Sequence, residues 1–242
     1  KFDFDIYLQN GLNINNNFTE EIFLPKDISF EQNGGLKSIF KVNKKKFALT
    51  SNKRNDCAYA TIYEIETQNI LLKTKCLPDG KNVDFNGLGG AVIEKGNYIY
   101  LSIGAPEWDS KEISALAQKE DYLYGKIIRI KKDNFINNSE IASDIDIFTY
   151  GHKNPQGLTY SGEYIFSIEH GPQGGDEINI IRKEKNYGWP KVSYGTEYNN
   201  GKSYKKFNQR FEKPLFTFLP SIAPSSMSRC PDNLNKYYSD DI

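Results

Sequence analysis

Helical periodicity is scarce in this chain, and that constrains it most. Between Ser38 and Arg182 short apolar or alternating runs follow one another, punctuated by Gly, Asn, Asp and Pro. Such punctuation specifies half-buried strands joined by turns. The pattern predicts strands at Ser38–Val42, Phe47–Ser51, Ala58–Ile65, Ile70–Lys75, Gly89–Glu94, Tyr98–Ile103, Lys126–Lys131, Gly157–Tyr160, Tyr164–His170 and Glu177–Arg182. Ser110–Asp121 is the best helical candidate, as a short loop insertion, and the Asn-rich Gly11–Asn17 reads as a polar loop. The class is all-β, and strand number leaves sandwich, barrel and propeller open. With 38% hydrophobic residues in 242, the chain can bury a sizeable core. No linker divides it, so one domain over 1–242 is expected.

Lys+Arg and Asp+Glu both number 31, so no charge excess points to nucleic acid or an anionic membrane. The longest apolar runs fall far short of the roughly 20 residues a transmembrane helix needs. No basic, apolar leader opens the sequence, so any targeting peptide is expected to lie outside this form of the chain. Three cysteines are present. Cys57 and Cys76 bracket two β-rich runs that turn near Glu66–Asn69, and pairing those runs would bring the cysteines together. A disulfide suited to an oxidising compartment and a pair of reduced thiols both fit that spacing.

The chemistry-bearing residues concentrate between Gly151 and Tyr194, where both histidines, an Asp-Glu pair and a glycine cluster occur. Glycines 171, 174 and 175 let carbonyls and short carboxylates converge, as a hard oxygen-seeking cation requires, although a Gly-rich turn capped by Asp176 explains the same residues. His152 and His170 have no cysteine at zinc spacing. No nucleophile elbow occurs, and GLGGAV opens a strand instead of a helix, which excludes a serine hydrolase of that type and a dinucleotide fingerprint.

Three motifs in succession, GHKNPQGL, EHGPQGGDEIN and NYGWPKVSYG, resemble those of the soluble pyrroloquinoline-quinone (PQQ)-dependent aldose sugar dehydrogenases, the glucose/sorbosone dehydrogenase family. NGLGGAVIEKGNYIYLSIGAP, YGKIIRI and PSIAPSSM extend the likeness over about residues 55–230. The resemblance implies a six-bladed β-propeller, which this chain either closes compactly or leaves short of its last blade. It also implies PQQ held by calcium over the central channel, and oxidation of an aldose at its anomeric carbon to the lactone. A small sugar and an external electron acceptor would be the partners, and the setting periplasmic or secreted. Carried over by motif, Lys153, Asn154, His170, Gly171 and Pro172 line the cofactor pocket. The carbonyls of Gly171 and Pro172 face the calcium, with Asp176 and Glu177 as the neighbouring acidic metal region. Trp108, in a polar loop, is the candidate to stack on the sugar, whereas Trp189 reads as a packing residue.

Several positions depart from the pattern. The family's catalytic histidine position is Gly87, its following aspartate is Ala105, its arginine before Asn-x-Gln-Gly is Lys153, and the arginine after Gly-Gly is Ala91. Glycine cannot accept a proton, so weak or absent turnover is expected. Asp84, Glu107 and Asp109 are the carboxylates from which a replacement base would be drawn. The competing expectation is a calcium-stabilised propeller that has lost catalysis and binds a sugar or protein partner.

Overall fold

The computed structural model describes residues 5–15, 18–107, 109–137, 141 and 144–230. They form four antiparallel sheets, each built from strands consecutive in sequence. The first sheet holds β1 (Asp5–Tyr7), β2 (Leu12–Asn15) and β3 (Thr19–Glu21). The second holds β4 (Leu36–Val42), β5 (Lys45–Arg54), β6 (Cys57–Glu64) and β7 (Ile70–Lys73). The third holds β8 (Gly89–Lys95), β9 (Tyr98–Ile103), β10 (Lys126–Lys131) and β11 (Asp146–Tyr150). The fourth holds β12 (Asn154–Ser161), β13 (Tyr164–His170), β14 (Asp176–Ile181) and β15 (Phe216–Phe218). These up-and-down sheets are the blades of a β-propeller, with β8 lying beside both β4 and β12.

Period-two alternation glues the blades together, because sheets buried on both faces send odd and even residues into different interfaces. On β9, Ile99, Leu101 and Ile103 enter the core shared with the second sheet, while Tyr100 enters the one shared with the fourth. On β5, Phe47 and Leu49 face the third sheet, and Ala48 packs with Tyr63, Tyr7 and Ile22 toward the first. Cys57 and Cys76 are joined by a disulfide that ties the start of β6 to the chain leaving β7. Closing a loop of that length stabilises a fold by about 3 kcal/mol in the chain-entropy account.

The expectation of a polar loop over Gly11–Asn17 is corrected: Leu12–Asn15 is β2, paired on both sides. Its asparagines fit the strand by different means: Asn13 is buried and donates to Glu20 Oε1 at 3.1 Å, while Asn15 is half-buried. The helical segment is shorter than its periodicity suggests, with α1 (Lys111–Ala115) capped by Ser110 and continued by a 3₁₀ turn, Leu116–Gln118. Lys126 caps that turn from below, its buried Nζ donating to the Leu116, Ala117 and Tyr124 carbonyls at 2.9, 3.0 and 2.9 Å. Among the described residues no helix is long and apolar enough to cross a membrane.

One irregularity recurs at the same place in three blades. The pairing register shifts between Leu36 and Ser38 on β4, between Gly89 and Val92 on β8, and between Pro155 and Gly157 on β12. Bulges re-aim side chains where they fall. All three fall at the start of a blade's first strand, where the functional site lies.

Candidate functional site

The openings of β4, β8 and β12 enclose a cavity of about 570 Å³. Lys37, Gly87, Gly89, Asn154, Gln156 and His170 line it, with Glu107 and Lys153 along one side. Its volume falls within the range of cofactor and small-ligand sites. The structure thus brings together Lys153, Asn154 and His170 from the motif set with the substituted position Gly87.

Asn154 is the hub of this wall. Its Oδ1 accepts from Gly89 N at 3.2 Å and Gln156 Nε2 at 2.6 Å, and its Nδ2 donates to Asn86 O at 3.2 Å. The opening of β12 is thereby tied to the turn that carries Gly87. His170 Nε2 lies 2.9 Å from the Pro224 carbonyl, which can only accept, so Nε2 carries the proton. Nδ1 is then left to accept from Asn154 Nδ2 at 3.4 Å. Lys153 Nζ sits 5.5 Å from the Trp189 ring centroid and 5.7 Å from that of Tyr198. It also lies 3.9 Å from Glu107 Oε1.

That last contact is a feature the motifs did not reveal. Glu107 lies two residues after Ala105, in the same loop. Burial raises the Glu107 carboxyl above the ordinary carboxylate range, opposed by the Lys153 ammonium. Glu107 and Tyr198 also border a second cavity of about 390 Å³ with Trp189, Tyr204 and Lys202 in its walls. Trp189 packs with Ala105, Ala117 and Tyr204 as a wall residue. Trp108 lies outside the described residues.

Behind this wall lies an acidic pocket. Ser167 faces Asn179 and Glu169 faces Glu177 in the β13–β14 register, so two carboxylates stand directly opposite each other. Like charges so placed are destabilising. Asn179 Nδ2 donates to Glu169 Oε1 at 2.8 Å and Glu177 Oε2 at 3.3 Å, and Glu169 Oε1 also meets His152 Nδ1 at 2.9 Å. Burial, and then the neighbouring Glu169 charge, hold the Glu177 carboxyl well above its usual range. Asn179 Oδ1 and Ser167 Oγ are buried without a partner. Glu169, Glu177, Gly171 and Pro172 line a space of about 20 Å³, room for a single ion or water.

Asp176 serves the loop above. Its Oδ1 accepts from Gly171 N and Ser221 Oγ, both at 3.0 Å, and its Oδ2 from Ile222 N at 2.9 Å and Ala223 N at 2.8 Å. A Cβ on Gly171 would lie 2.3 Å from the Gly175 carbonyl oxygen, so only glycine lets the loop fold back this far. Among the described residues, no three His, Cys, Asp or Glu side chains group as a metal site. A cation here would therefore need carbonyl or ligand oxygens as well as Glu177, which is the chemistry a hard cation accepts.

The propeller blades and this channel-mouth site define a class, and comparison places the chain within it. Residues 42–241 match the model of the Glucose / Sorbosone dehydrogenase family, and the chain belongs to that family. It is 32% identical over 154 residues to the aldose sugar dehydrogenase YliI of Escherichia coli (strain K12), covering 59% of this chain and 40% of that protein. The chain spans between a quarter and two fifths of the length of the curated relatives it matches. The fold superposes on the soluble aldose sugar dehydrogenase of Escherichia coli in its apo-form with a TM-score of 0.74 at 24% identity, covering 92% of this chain and 70% of that one. On the PQQ-bound aldose sugar dehydrogenase of Streptomyces coelicolor the TM-score is 0.67 at 19% identity, covering 94% and 68%. At these identities the two superpositions speak for the fold alone.

Proposed function

We propose that this chain is a PQQ-dependent aldose sugar dehydrogenase-like protein that oxidises an aldose at its anomeric carbon to the lactone and passes the electrons to an external acceptor. The observation that carries this is the cavity bordered by the openings of three blades, into whose wall the fourth sheet brings Lys153, Asn154 and His170. The cavity suits a planar, polyanionic group: Gly87 and Gly89 leave part of the wall without side chains, and Lys37 and Lys153 offer ammonium groups. PQQ, when bound, supplies the two-electron acceptor. Lys153 would orient its acidic groups, while Asn154 and His170 hold the wall against the turn bearing Gly87. The Gly171 and Pro172 carbonyls with Glu177 would take calcium, and Asp176 would fix their loop. The opposed Glu169 and Glu177, and the unpartnered Asn179 Oδ1, fit such a cation. The disulfide supports a periplasmic or secreted setting.

The absence of a side chain at Gly87 favours a second reading, in which the propeller binds sugar without turning it over. Dye reduction by protein loaded with PQQ and calcium separates the two. Aldose-dependent reduction with lactone formation, slower than in histidine-bearing relatives, is expected. Saturable sugar binding with no lactone would establish the second reading instead.

A further inference from the structure

The site has lost its histidine, yet the space is not empty. A Cβ built on Gly87 would lie 3.1 Å from both the Ala105 carbonyl oxygen and Pro106 Cα, and 3.5 Å from Glu107 N. The chain at 105–107 therefore packs closely against residue 87, on the side from which a side chain there would emerge. It is held there by the hydrogen bond from Asp84 N to Pro106 O at 3.1 Å and by the bridge between Val83 and Glu107. Residue 87 offers no side chain to accept a proton, and the segment beside it carries the Glu107 carboxylate.

We propose that Glu107 is the catalytic base of this site, taking the proton of the sugar's anomeric hydroxyl in place of the histidine absent at Gly87. The inference rests on the dehydrogenase reading above and names the group that reading lacks. Three observations single out Glu107. It borders both the central cavity and the adjoining one, where a sugar would lie against the aromatic walls of Trp189, Tyr198 and Tyr204. Its Oε2 is held by Ser110 N at 3.0 Å, while Oε1 turns toward Lys153 at 3.9 Å, so one oxygen is anchored and the other directed at the cofactor wall. Of the other candidates, Asp84 lines the central cavity but not the adjoining one, and its Oδ1 accepts from Asn33 Nδ2 and Asn86 N, both at 3.0 Å, while Asp109 lines only the adjoining cavity and is exposed. A carboxyl raised by burial is the better proton acceptor for it.

The step balances. The anomeric O–H bond breaks and its proton passes to Glu107 Oε1. The C1–H bond breaks, its hydrogen and electron pair pass to the ortho-quinone oxidant, and C1–O becomes the lactone carbonyl. The aldose is oxidised, the quinone is reduced, and the proton held by Glu107 completes the quinol through solvent.

The test compares wild type with Glu107→Gln, a substitution that keeps volume and an acceptor for Ser110 N. PQQ titration followed by absorbance, and aldose binding to the loaded protein followed by Trp fluorescence, should agree with wild type within about twofold. The kcat should fall by roughly 10²- to 10⁴-fold with KM little changed. Glu107→Ala supplies a readout that a structural role would not move: added formate should restore part of its turnover. Glu107→Gln that binds both ligands yet turns over within threefold of wild type would overturn the assignment and leave the dehydrogenase reading intact. Failure of formate rescue in folded Glu107→Ala would also overturn it. No lactone from loaded wild type would overturn both.

Discussion

Asp176→Ala should destabilise the protein by about 1–3 kcal/mol, the range for leaving hydrogen-bond donors without their acceptor. Asp176 accepts four hydrogen bonds, from Gly171 N, Ser221 Oγ, Ile222 N and Ala223 N, and is itself almost fully buried. Alanine leaves all four donors without this acceptor, and Gly171 N, the least exposed of them, bears the largest share of the cost. The damage should also reach the cofactor wall, because the segment pinned by Asp176 carries the Pro224 carbonyl that fixes His170. Asp176→Asn should remain costly, since its amide turns an NH₂ toward backbone N–H groups that need an acceptor. Urea unfolding checks this: a loss below about 1 kcal/mol for the alanine variant would show that the loop is held by other means.

Glu177→Gln should stabilise the metal-free protein and abolish its response to calcium. Glu177 stands opposite Glu169 in register, and burial holds its carboxyl well above the ordinary value of 4.5. A raised carboxyl binds its proton more tightly in the folded chain, so its contribution is fully present below the unfolded value and is lost as pH rises through the folded one. Metal-free wild type should therefore lose stability as pH rises above the ordinary value of 4.5 and through the raised one, where the opposed charges develop. Calcium should restore it. The glutamine variant carries one carboxylate fewer, so its metal-free melting temperature at neutral to alkaline pH should lie above that of wild type, because Glu169 no longer faces a like charge. Equal calcium-induced shifts in both proteins would remove Glu177 from the metal site.

Much of the fold is legible in the sequence, because blade strands buried between two sheets carry their pattern openly. All ten strands predicted between Ser38 and Arg182 are present, with ends moved by a few residues. The strands that escape detection have a physical reason to do so. β1 to β3 carry polar residues into a sheet with much of its surface in water, β11 joins the blade as a five-residue outer strand, and β15 has three residues after a long irregular stretch. Ser110–Asp121 keeps a helical pattern, but its α-helix stops at Ala115 and tightens into the 3₁₀ turn that Lys126 caps. Cysteine spacing named a possible pair, and the registers of β5, β6 and β7 decide it.

The site divides the same way. Asn154, His170 and the Gly171–Asp176 loop lie in contiguous motifs, and the structure brings them to one end of the blades. Glu107 is one of three candidate carboxylates in the sequence, but its approach to Gly87 and to Lys153 follows from loops meeting in space. Lys153 reads as a weakened arginine until its contact with Glu107 is seen. The buried opposition of Glu169 and Glu177 likewise follows from strand register, since the two lie on different strands.

The central claim is that this chain binds a quinone cofactor through calcium. Chelator-treated protein titrated with PQQ, with and without added calcium, tests it most directly, followed by cofactor absorbance and Trp fluorescence. The account predicts saturable binding at about one equivalent when calcium is present, and binding weakened at least tenfold when it is not. Folded protein that fails to bind PQQ under either condition, or binds it equally well in chelator, would contradict the account.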